Sequence, residues 1–283
     1  QKWYTFNSSN TEPNNNVTVI GNWVMDIQDE DLASWFATQN VVEDQREGLQ
    51  TGWDYASSKN SKFIFDGIFY VAQLSRIYSD GLERKIGLQV PDNSITFFKS
   101  NASIKLIPNN EPLGYVVNFY LAENFKMYNP VVFGDVDEHT GTTDESNHCY
   151  NIVNCKNGYI HEPVAYNAWG DGFYIGVEYS SLTNKQCEDI TIFEPHAEHC
   201  GRAGMSITSS KNLNVYSPSF KNIFRVFPKV GLNIEGEGVG ETKPSFNGIN
   251  IHGSITSESC DIGASIYIFD SLVGDVSVNV GNI

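Results

Sequence analysis

The sequence predicts an all-β protein built as a parallel β-helix, in which short strands wind into stacked turns. Short apolar runs separated by Asn, Gly, Ser, Asp or Pro fill residues 61–283, and no amphipathic helix interrupts them. One sequence motif of two such runs also recurs along this region. Such repetition favours a solenoid over a sandwich or a barrel, because each turn of a solenoid buries its inner face only by stacking on the next turn.

The recurring motif consists of two short apolar runs that are joined by a polar corner. It occurs as ENFKMYNPVVFG (123–134), KNGYIHEPVAYN (156–167), EDITIFEPHAEHC (188–200), KNLNVYSPSFKNI (211–223) and FNGINIHGSITSE (246–258). Two or three short strands per turn are typical of a parallel β-helix. Asn at repeated positions before a strand suits left-handed backbone corners or side-chain ladders.

The N-terminal part precedes this pattern. Residues 1–42 are predicted to be a connector, with a hairpin in VTVIGNWVMDI (17–27) and a short helix over LASWFATQ (32–39) after an acidic start. Residues 43–283 are predicted to form the β-helix domain. Its first element, a helix over 43–60 with Leu49, Trp53 and Ala56 on one face, would cover the open first turn.

Composition limits the partners. The net charge of −16 disfavours nucleic acid, which requires clustered Lys and Arg. The sequence contains no apolar run of about 18 residues, the length that a membrane-spanning helix requires. Five cysteines without a CxxC pair favour small buried thiols over a zinc site or a disulfide framework, and we expect no cofactor. Because the chain begins with Gln1 in polar sequence, we expect a fragment of a longer protein or a processed chain.

Three turn-then-strand units suggest a site: AYNAWGDGFYIG (165–176), EHCGRAGMSIT (198–208) and KVGLNIEGE (229–237). Glycines bracket a polar residue at the first two corners, where we expect a positive φ. Stacking would place Asp171, Arg202 and Glu235 on one outer face. Because turns stack about 4.8 Å apart, the carboxyl groups of Asp171 and Glu235 could approach the roughly 6.5–9.5 Å separation of inverting glycosidases.

A second candidate region is the acidic loop GDVDEHTGTTDESNH (134–148). It should hang over the same face, with Asp137 or His139 as a proton carrier and Glu138 and His148 as substrate-binding groups. Its spacing fits no calcium loop and no zinc signature, so no metal site is predicted.

Neighbouring aromatic and imidazole side chains complete the candidates. Trp169 and, less strongly, Tyr174 are predicted to bind sugar, because aromatic faces pack well on the apolar face of a pyranose. His196 and His199, three residues apart outside any helix, are expected to be structural.

The residues also resemble a known superfamily. LQTGWDYASSKN, KFIFDGIFYV and PDNSITFFKSNASIKLIP are similar to the start of the pectate-lyase-like right-handed parallel β-helix proteins. WGDGFYIG, CGRAGMSI and GLNIE look like the turns of bacteriophage tailspike depolymerases. Compared with polygalacturonases, only Asp171 matches in kind, so that catalytic set is not carried over. The resemblance implies an extracellular or virion-tail homotrimer that binds and cleaves capsular or O-antigen polysaccharide of bacteria, and a site between subunits is compatible with it.

Glycoside hydrolysis is the predicted reaction, and two alternatives stay open. A polysaccharide lyase would remove the proton α to a uronate carboxylate, with His139 as base and Arg202 neutralising the acid. A non-catalytic carbohydrate-binding shaft or adhesin would bind the sugar without turnover.

Overall fold

The computed structural model describes residues 4–6, 19–20, 23–25, 30–78, 81, 83–142, 146–177, 186–236, 246–267 and 278–280. The helices are a 3-10 turn, Ala33–Trp35, and α1, Arg46–Ser58. The first strands are β1 Tyr4–Phe6, β2 Val19–Ile20, β3 Trp23–Met25, β4 Glu30–Leu32, β5 Lys62–Phe65, β6 Ile68–Val71, β7 Leu74–Ile77, β8 Glu83–Gln89, β9 Ile95–Phe98, β10 Ser103–Leu106, β11 Leu113–Asn118, β12 Lys126–Tyr128 and β13 Val131–Phe133. The remaining strands are β14 Ser146–Val153, β15 Lys156–His161, β16 Val164–Tyr166, β17 Phe173–Gly176, β18 Cys187–Phe193, β19 His196–Glu198, β20 Ala203–Ile207, β21 Ser210–Tyr216, β22 Ser219–Ile223, β23 Val230–Glu235, β24 Phe246–His252, β25 Thr256–Cys260, β26 Ile262–Tyr267 and β27 Val278–Val280.

Three sheets form the walls of a solenoid. The first sheet runs in the order β4, β5, β9, β12, β15, β18, β21, β24, β27, the second in the order β6, β10, β13, β16, β19, β22, β25, and the third in the order β7, β8, β11, β14, β17, β20, β23, β26. Successive turns pair in parallel, whereas β7 folds back antiparallel on β8. Each turn adds one strand to each sheet, so the seven-stranded second sheet defines seven turns in the described part. The predicted parallel β-helix is confirmed.

The interior consists of like side chains stacked at the same register. Phe173 of the third sheet aligns with Tyr150 before it and Met205 after it, and all three side chains are buried. The rings of Tyr150 and Phe173 stack at 4.8 Å. The Tyr150 hydroxyl lies 2.9 Å and 3.0 Å from two backbone carbonyl oxygens, which satisfies its buried polar group.

Helix α1 covers the start of this interior, as predicted. Leu49, Trp53 and Ala56 are fully buried. The Trp53 ring stacks on Phe63 of β5 at 6.1 Å, and its indole N–H donates to Thr96 Oγ1 at 2.9 Å. The helix therefore shields the inner face of the first turn from solvent.

The N-terminal predictions have mixed outcomes. The hairpin is confirmed, because β2 pairs antiparallel with β3, while the two residues between them lie outside the described ranges. The short helix over 32–39 is wrong beyond its 3-10 turn. Glu30 and Asp31, at its predicted start, belong to β4, where Asp31 aligns with Phe63 of β5, so parallel pairing with the first sheet replaces a helical start.

Asparagines make the left-handed corners. Asn93 and Asn124 precede β9 and β12 of the first sheet, and Asn157 is the second residue of β15; their φ angles are 57°, 58° and 53°. Their amides form a ladder, with Nδ2 of Asn124 donating to Oδ1 of Asn93 at 3.2 Å and Nδ2 of Asn157 donating to Oδ1 of Asn124 at 3.0 Å. Asn tolerates this conformation because its short amide bonds locally. The predicted corners and ladder are confirmed.

The glycines of the third sheet have another role than the one predicted. Among the described residues, only Gly81, Gly248 and Gly253 are glycines with positive φ. Gly172, Gly204, Gly231 and Gly263 instead align in one column across four turns. A Cβ on Gly172 would lie 2.8 Å from the carbonyl oxygen of Gly204. Close approach of one turn to the next excludes side chains at Gly172, Gly204 and Gly231.

The structure also tests the predictions for the cysteines and for a membrane-spanning helix. Cys149, Cys155, Cys187 and Cys200 are buried free thiols, as predicted, and Cys260 is half-buried. Within the described ranges, no helix has the length and apolar character needed to cross a bilayer.

Candidate functional site

The candidate residues collect where the chain passes from the second sheet to the third. Four successive connections meet there, and we call them the corner surface: residues 134–142, 167–172, 199–202 and 224–229. Because the strands on both sides are in register, side chains from different turns come into contact along the solenoid axis.

Asp171 and Arg202 form an ion pair at the start of the third sheet, as the predicted stack required. Arg202 Nη1 lies 2.9 Å from Asp171 Oδ2 and 3.4 Å from Ser206 Oγ. The Asp171 side chain is fully buried, and the Arg202 side chain is 15% exposed. Asp171 Oδ1 has no hydrogen-bond partner among the described residues, so one carboxylate oxygen remains an unused acceptor.

Glu235 does not join this pair, and the predicted three-residue stack is wrong at that position. Register aligns Asp171 with Ala203 and Val230, and Glu235 follows Val230 by five residues (235 − 230). At about 3.3 Å per residue, that offset is roughly 16 Å along the strand. Glu235 Oε2 instead accepts a hydrogen bond from Asn233 Nδ2 at 2.9 Å.

His148 lies in β14 and not in a loop. The backbone N–H of Asp171 donates to His148 Nδ1 at 2.9 Å. Since Nδ1 accepts this bond, the ring proton of the neutral imidazole lies on Nε2. The ring stacks between Tyr115 at 5.9 Å and Tyr174 at 5.1 Å. The structure thus brings His148 and Tyr174 together beside Asp171.

Trp169 has both faces covered. Its ring stacks on His139 at 4.2 Å, and the guanidinium of Arg225 lies 3.5 Å from the ring centroid. The Trp169 residue is 8% exposed. Its faces are therefore not open to a pyranose, and a platform role for this ring does not fit the geometry.

The side chain of His139 lies on the inner side of the acidic loop and not on its solvent-exposed side. Its side chain is fully buried, and its Nδ1 lies 2.9 Å from Asp135 Oδ2. Asp135 Oδ2 also accepts the backbone N–H of Asn109 at 3.0 Å. A direct proton-carrying contact of His139 with substrate does not fit this burial.

Asp137 reaches a partner that sequence reasoning did not assign. Its Oδ1 lies 2.8 Å from Nε2 of His199, two turns further along the solenoid. The Asp137 side chain is 61% exposed and that of His199 is 30% exposed. Glu138 is also exposed, whereas Asp144 and Glu145 of the same loop lie outside the described residues. Asp137 is therefore a solvent-exposed acidic group that is also held by a histidine of another turn.

Two exposed aromatic side chains were also missed. Phe224 and Phe227 are 38% and 79% exposed on the connection that follows β22. The Phe224 ring stacks on His199 at 4.4 Å. Their signal in the sequence is weak, because single aromatic residues at a surface are common.

Cys200 in the corner surface and Cys149 in the adjoining β14 are weakly acidic, unreactive thiols. Burial raises the pKa of Cys200 to about 12, and burial also raises the pKa of Cys149. A thiol, rather than the nucleophilic thiolate, is therefore present at neutral pH. The chemistry open to the corner surface is that of carboxylates, imidazoles and guanidinium groups.

Comparison with solved structures gives related folds. A tailspike protein from Acinetobacter baumannii bacteriophage Fri1, described as a capsular polysaccharide depolymerase, has a TM-score of 0.63 at 10% identity, over 93% of this chain and 48% of its own. The tailspike of Acinetobacter phage vb_AbaP_AS12 has a TM-score of 0.56 at 10% identity, over 90% of this chain and 49% of its own. A provisionally assigned glycosyl hydrolase from Parabacteroides merdae has a TM-score of 0.54 at 11% identity, over 83% of this chain and 98% of its own.

These matches confirm the predicted resemblance at the level of the fold. The chain spans about half the length of the two tailspikes. No protein-family model and no curated protein matches the sequence.

Proposed function

We propose that this chain binds and cleaves a bacterial surface polysaccharide, capsular or O-antigen, by glycoside hydrolysis at the corner surface. One observation carries the proposal: two carboxylates are held by neighbouring residues of one connection. His199 binds Asp137 at 2.8 Å, and Arg202 binds Asp171 at 2.9 Å. The fold shared with two tailspikes supports the same class of substrate.

The two carboxylates differ in the way that hydrolysis requires. Asp171, fully buried against a guanidinium, suits the member that stays charged and stabilises positive charge developing on the sugar without touching it. Asp137, exposed beside an imidazole, suits the member that exchanges protons with the substrate. His199 and Arg202 are three residues apart, at most about 10 Å of chain. The two carboxyl groups held by these side chains therefore belong to one part of the corner surface.

Substrate binding falls to exposed groups of the same surface. Phe224 and Phe227 offer ring surface for sugar contact in place of Trp169. Glu138 is exposed beside Asp137, and the partly exposed guanidinium of Arg202, which binds Asp171, adds positive charge that favours an anionic sugar. Tyr174 and His148 support the wall behind Asp171.

Assembly and location are part of the proposal. The tailspike resemblance implies a homotrimer on a virion tail, and light scattering of the purified chain measures that assembly directly. A monomeric chain that is fully active would place the whole site within one subunit.

The test is depolymerisation of polysaccharides extracted from a panel of encapsulated bacteria, followed by new reducing ends and by loss of molar mass. We expect Asp137→Asn and Asp171→Asn to lower the rate by about 100-fold or more. Glu235→Gln is the matched control, since register removes that carboxylate from the site, and it should retain the parent rate. Equal rates for all three variants would move the chemistry elsewhere, and binding without any product would favour a carbohydrate-binding shaft.

A lyase is the second candidate, favoured by the exposed carboxylate of Asp137 and the guanidinium of Arg202 on the same surface. Elimination needs a base for the proton α to a uronate carboxylate and a cation to neutralise that acid. The lyase forms a conjugated double bond that absorbs ultraviolet light, whereas hydrolysis forms none. The absorbance of the product therefore separates the two reactions.

A further inference from the structure

His199 occupies a backbone position that its neighbours fill with smaller residues. It shares a corner column with Asn167, Asn222 and Ser259, and the four have φ of 57°, 58°, 53° and 55° in that order. Asn suits this left-handed conformation because its short amide bonds locally. A larger imidazole in the same conformation calls for a specific reason.

Three contacts hold the imidazole in one orientation. Asn222 Nδ2 donates to His199 Nδ1 at 2.6 Å, and the Phe224 ring lies parallel to the imidazole within 23° at 4.4 Å. Since Nδ1 is an acceptor, the proton of the neutral ring is on Nε2, which points at Asp137 Oδ1. Orientation and tautomer are therefore both fixed by the neighbouring turn.

The other charged side chains of the adjacent strands are engaged with one another. Lys221 Nζ lies 3.6 Å from Glu198 Oε1, and Glu198 Oε2 lies 3.5 Å from His196 Nε2. In the described part of the acidic loop, Asp135 binds His139. Asp137 is thus the carboxylate that faces His199.

We propose that His199 is a positioning residue that acts through Asp137, the group that exchanges protons with the polysaccharide. This inference rests on the proposed function. The bond from Nε2–H to Oδ1 fixes one carboxyl oxygen, which leaves Oδ2 directed at the substrate. The carboxyl proton passes from Oδ2 to the glycosidic oxygen as the bond from that oxygen to the anomeric carbon breaks. Water then bonds to the anomeric carbon, and the proton that the water loses restores the Asp137 carboxyl group. His199 keeps its own proton throughout.

The chain supplies a conservative variant and a matched control. His199→Asn restores the residue type of the same column, so the corner conformation is kept. His196→Asn alters a histidine of similar exposure, 29%, that also faces a carboxylate, Glu198 at 3.5 Å, but makes no contact with the acidic loop among the described residues. Circular dichroism and thermal unfolding verify that both variants fold.

We expect His199→Asn to lower kcat by about 10- to 100-fold with little change in KM and to alter the pH dependence of kcat. His196→Asn should stay within about twofold of the parent. The double variant Asp137→Asn/His199→Asn should be no slower than Asp137→Asn alone, because both changes remove one unit. A merely structural histidine would not produce this non-additivity.

The outcomes separate this inference from the function on which it rests. An active parent whose kcat and pH profile survive His199→Asn overturns the positioning role alone. An additive double variant overturns it as well, since His199 would then act independently of Asp137. A parent without product on every polysaccharide of the panel overturns the proposed function, and the positioning role falls with it.

Discussion

Arg202 Nη1 lies 2.9 Å from Asp171 Oδ2, and the two side chains come from neighbouring turns at the start of the third sheet. The carboxylate is fully buried and the guanidinium nearly so. Removing two charges from water is costly, and their mutual attraction offsets that cost only while both are present. The pair therefore matters to stability as well as to the proposed chemistry.

The first prediction concerns the loss of one partner. Arg202→Met leaves the Asp171 carboxylate buried without its cation, and we expect the free energy of unfolding to fall by about 3 kcal/mol. The double variant Asp171→Asn/Arg202→Met should recover most of that loss, because no charge is left unpaired. Urea denaturation of the parent, the single variants and the double variant measures the coupling. Additive losses would contradict a paired, buried geometry.

The second prediction concerns pH. Burial raises the pKa of Asp31 to about 6, although a hydrogen bond from Ser61 lowers it in part. The folded chain then binds more protons than the unfolded chain between about pH 4 and pH 6, so this group makes stability fall as pH rises through that window. Asp31→Asn removes the effect.

We therefore expect Asp31→Asn to raise the free energy of unfolding at pH 7 by about 1–3 kcal/mol and to leave it nearly unchanged below about pH 4. Ser61 Oγ retains an acceptor in the amide oxygen of the variant. Urea denaturation at a series of pH values gives both curves. A constant difference between them at every pH would show that Asp31 does not titrate in this window.

The third prediction concerns the glycine column of the third sheet. A Cβ on Gly204 would lie 2.7 Å from the carbonyl oxygen of Gly231, and Phe220 adds a second clash. We expect Gly204→Ala to destabilise the chain by about 1–3 kcal/mol, as overpacking does elsewhere. Gly263→Ala is the matched control in the same column, because the atom nearest to its Cβ would be Ser257 Cβ at an ordinary 3.7 Å. Equal unfolding midpoints for both variants would argue against close approach as the reason for glycine.

The winding of the chain was predictable because it depends on local patterns that repeat. Asn124 and Asn157 mark left-handed corners, and Leu49, Trp53 and Ala56 mark the buried face of the covering helix. Each feature depends on residues close in sequence, so one strand or one turn suffices to identify it.

The site was only partly predictable, because register decides which outer side chains meet. Aligning the units on their polar residues joined Asp171 to Arg202 correctly but misplaced Glu235 by five residues. The glycine column through Gly172 and Gly231 is the better guide, since it occupies one register position in four successive turns. Asp137 and His199 are 62 positions apart in the sequence, and their contact depends on the path of the acidic loop. No local sequence pattern predicts it.

The last prediction concerns two buried thiols on neighbouring turns. Cys155 Sγ and Cys187 Sγ lie 3.5 Å apart, on positions that precede the aligned pair Lys156 and Glu188. Adjacent parallel strands place their Cα atoms about 4.8 Å apart, within the range that a disulfide bridges.

Oxidation by glutathione disulfide under partly unfolding conditions should therefore join the two sulfurs. The two thiol protons and two electrons pass to one glutathione disulfide, which becomes two molecules of glutathione. The product should lose two titratable thiols and, with a closed loop of about 33 residues, gain about 3–4 kcal/mol in the free energy of unfolding. Peptide mapping identifies the bridge, and Cys155→Ser should abolish it. A bridge that forms equally well through Cys149 or Cys260 would contradict the observed alignment.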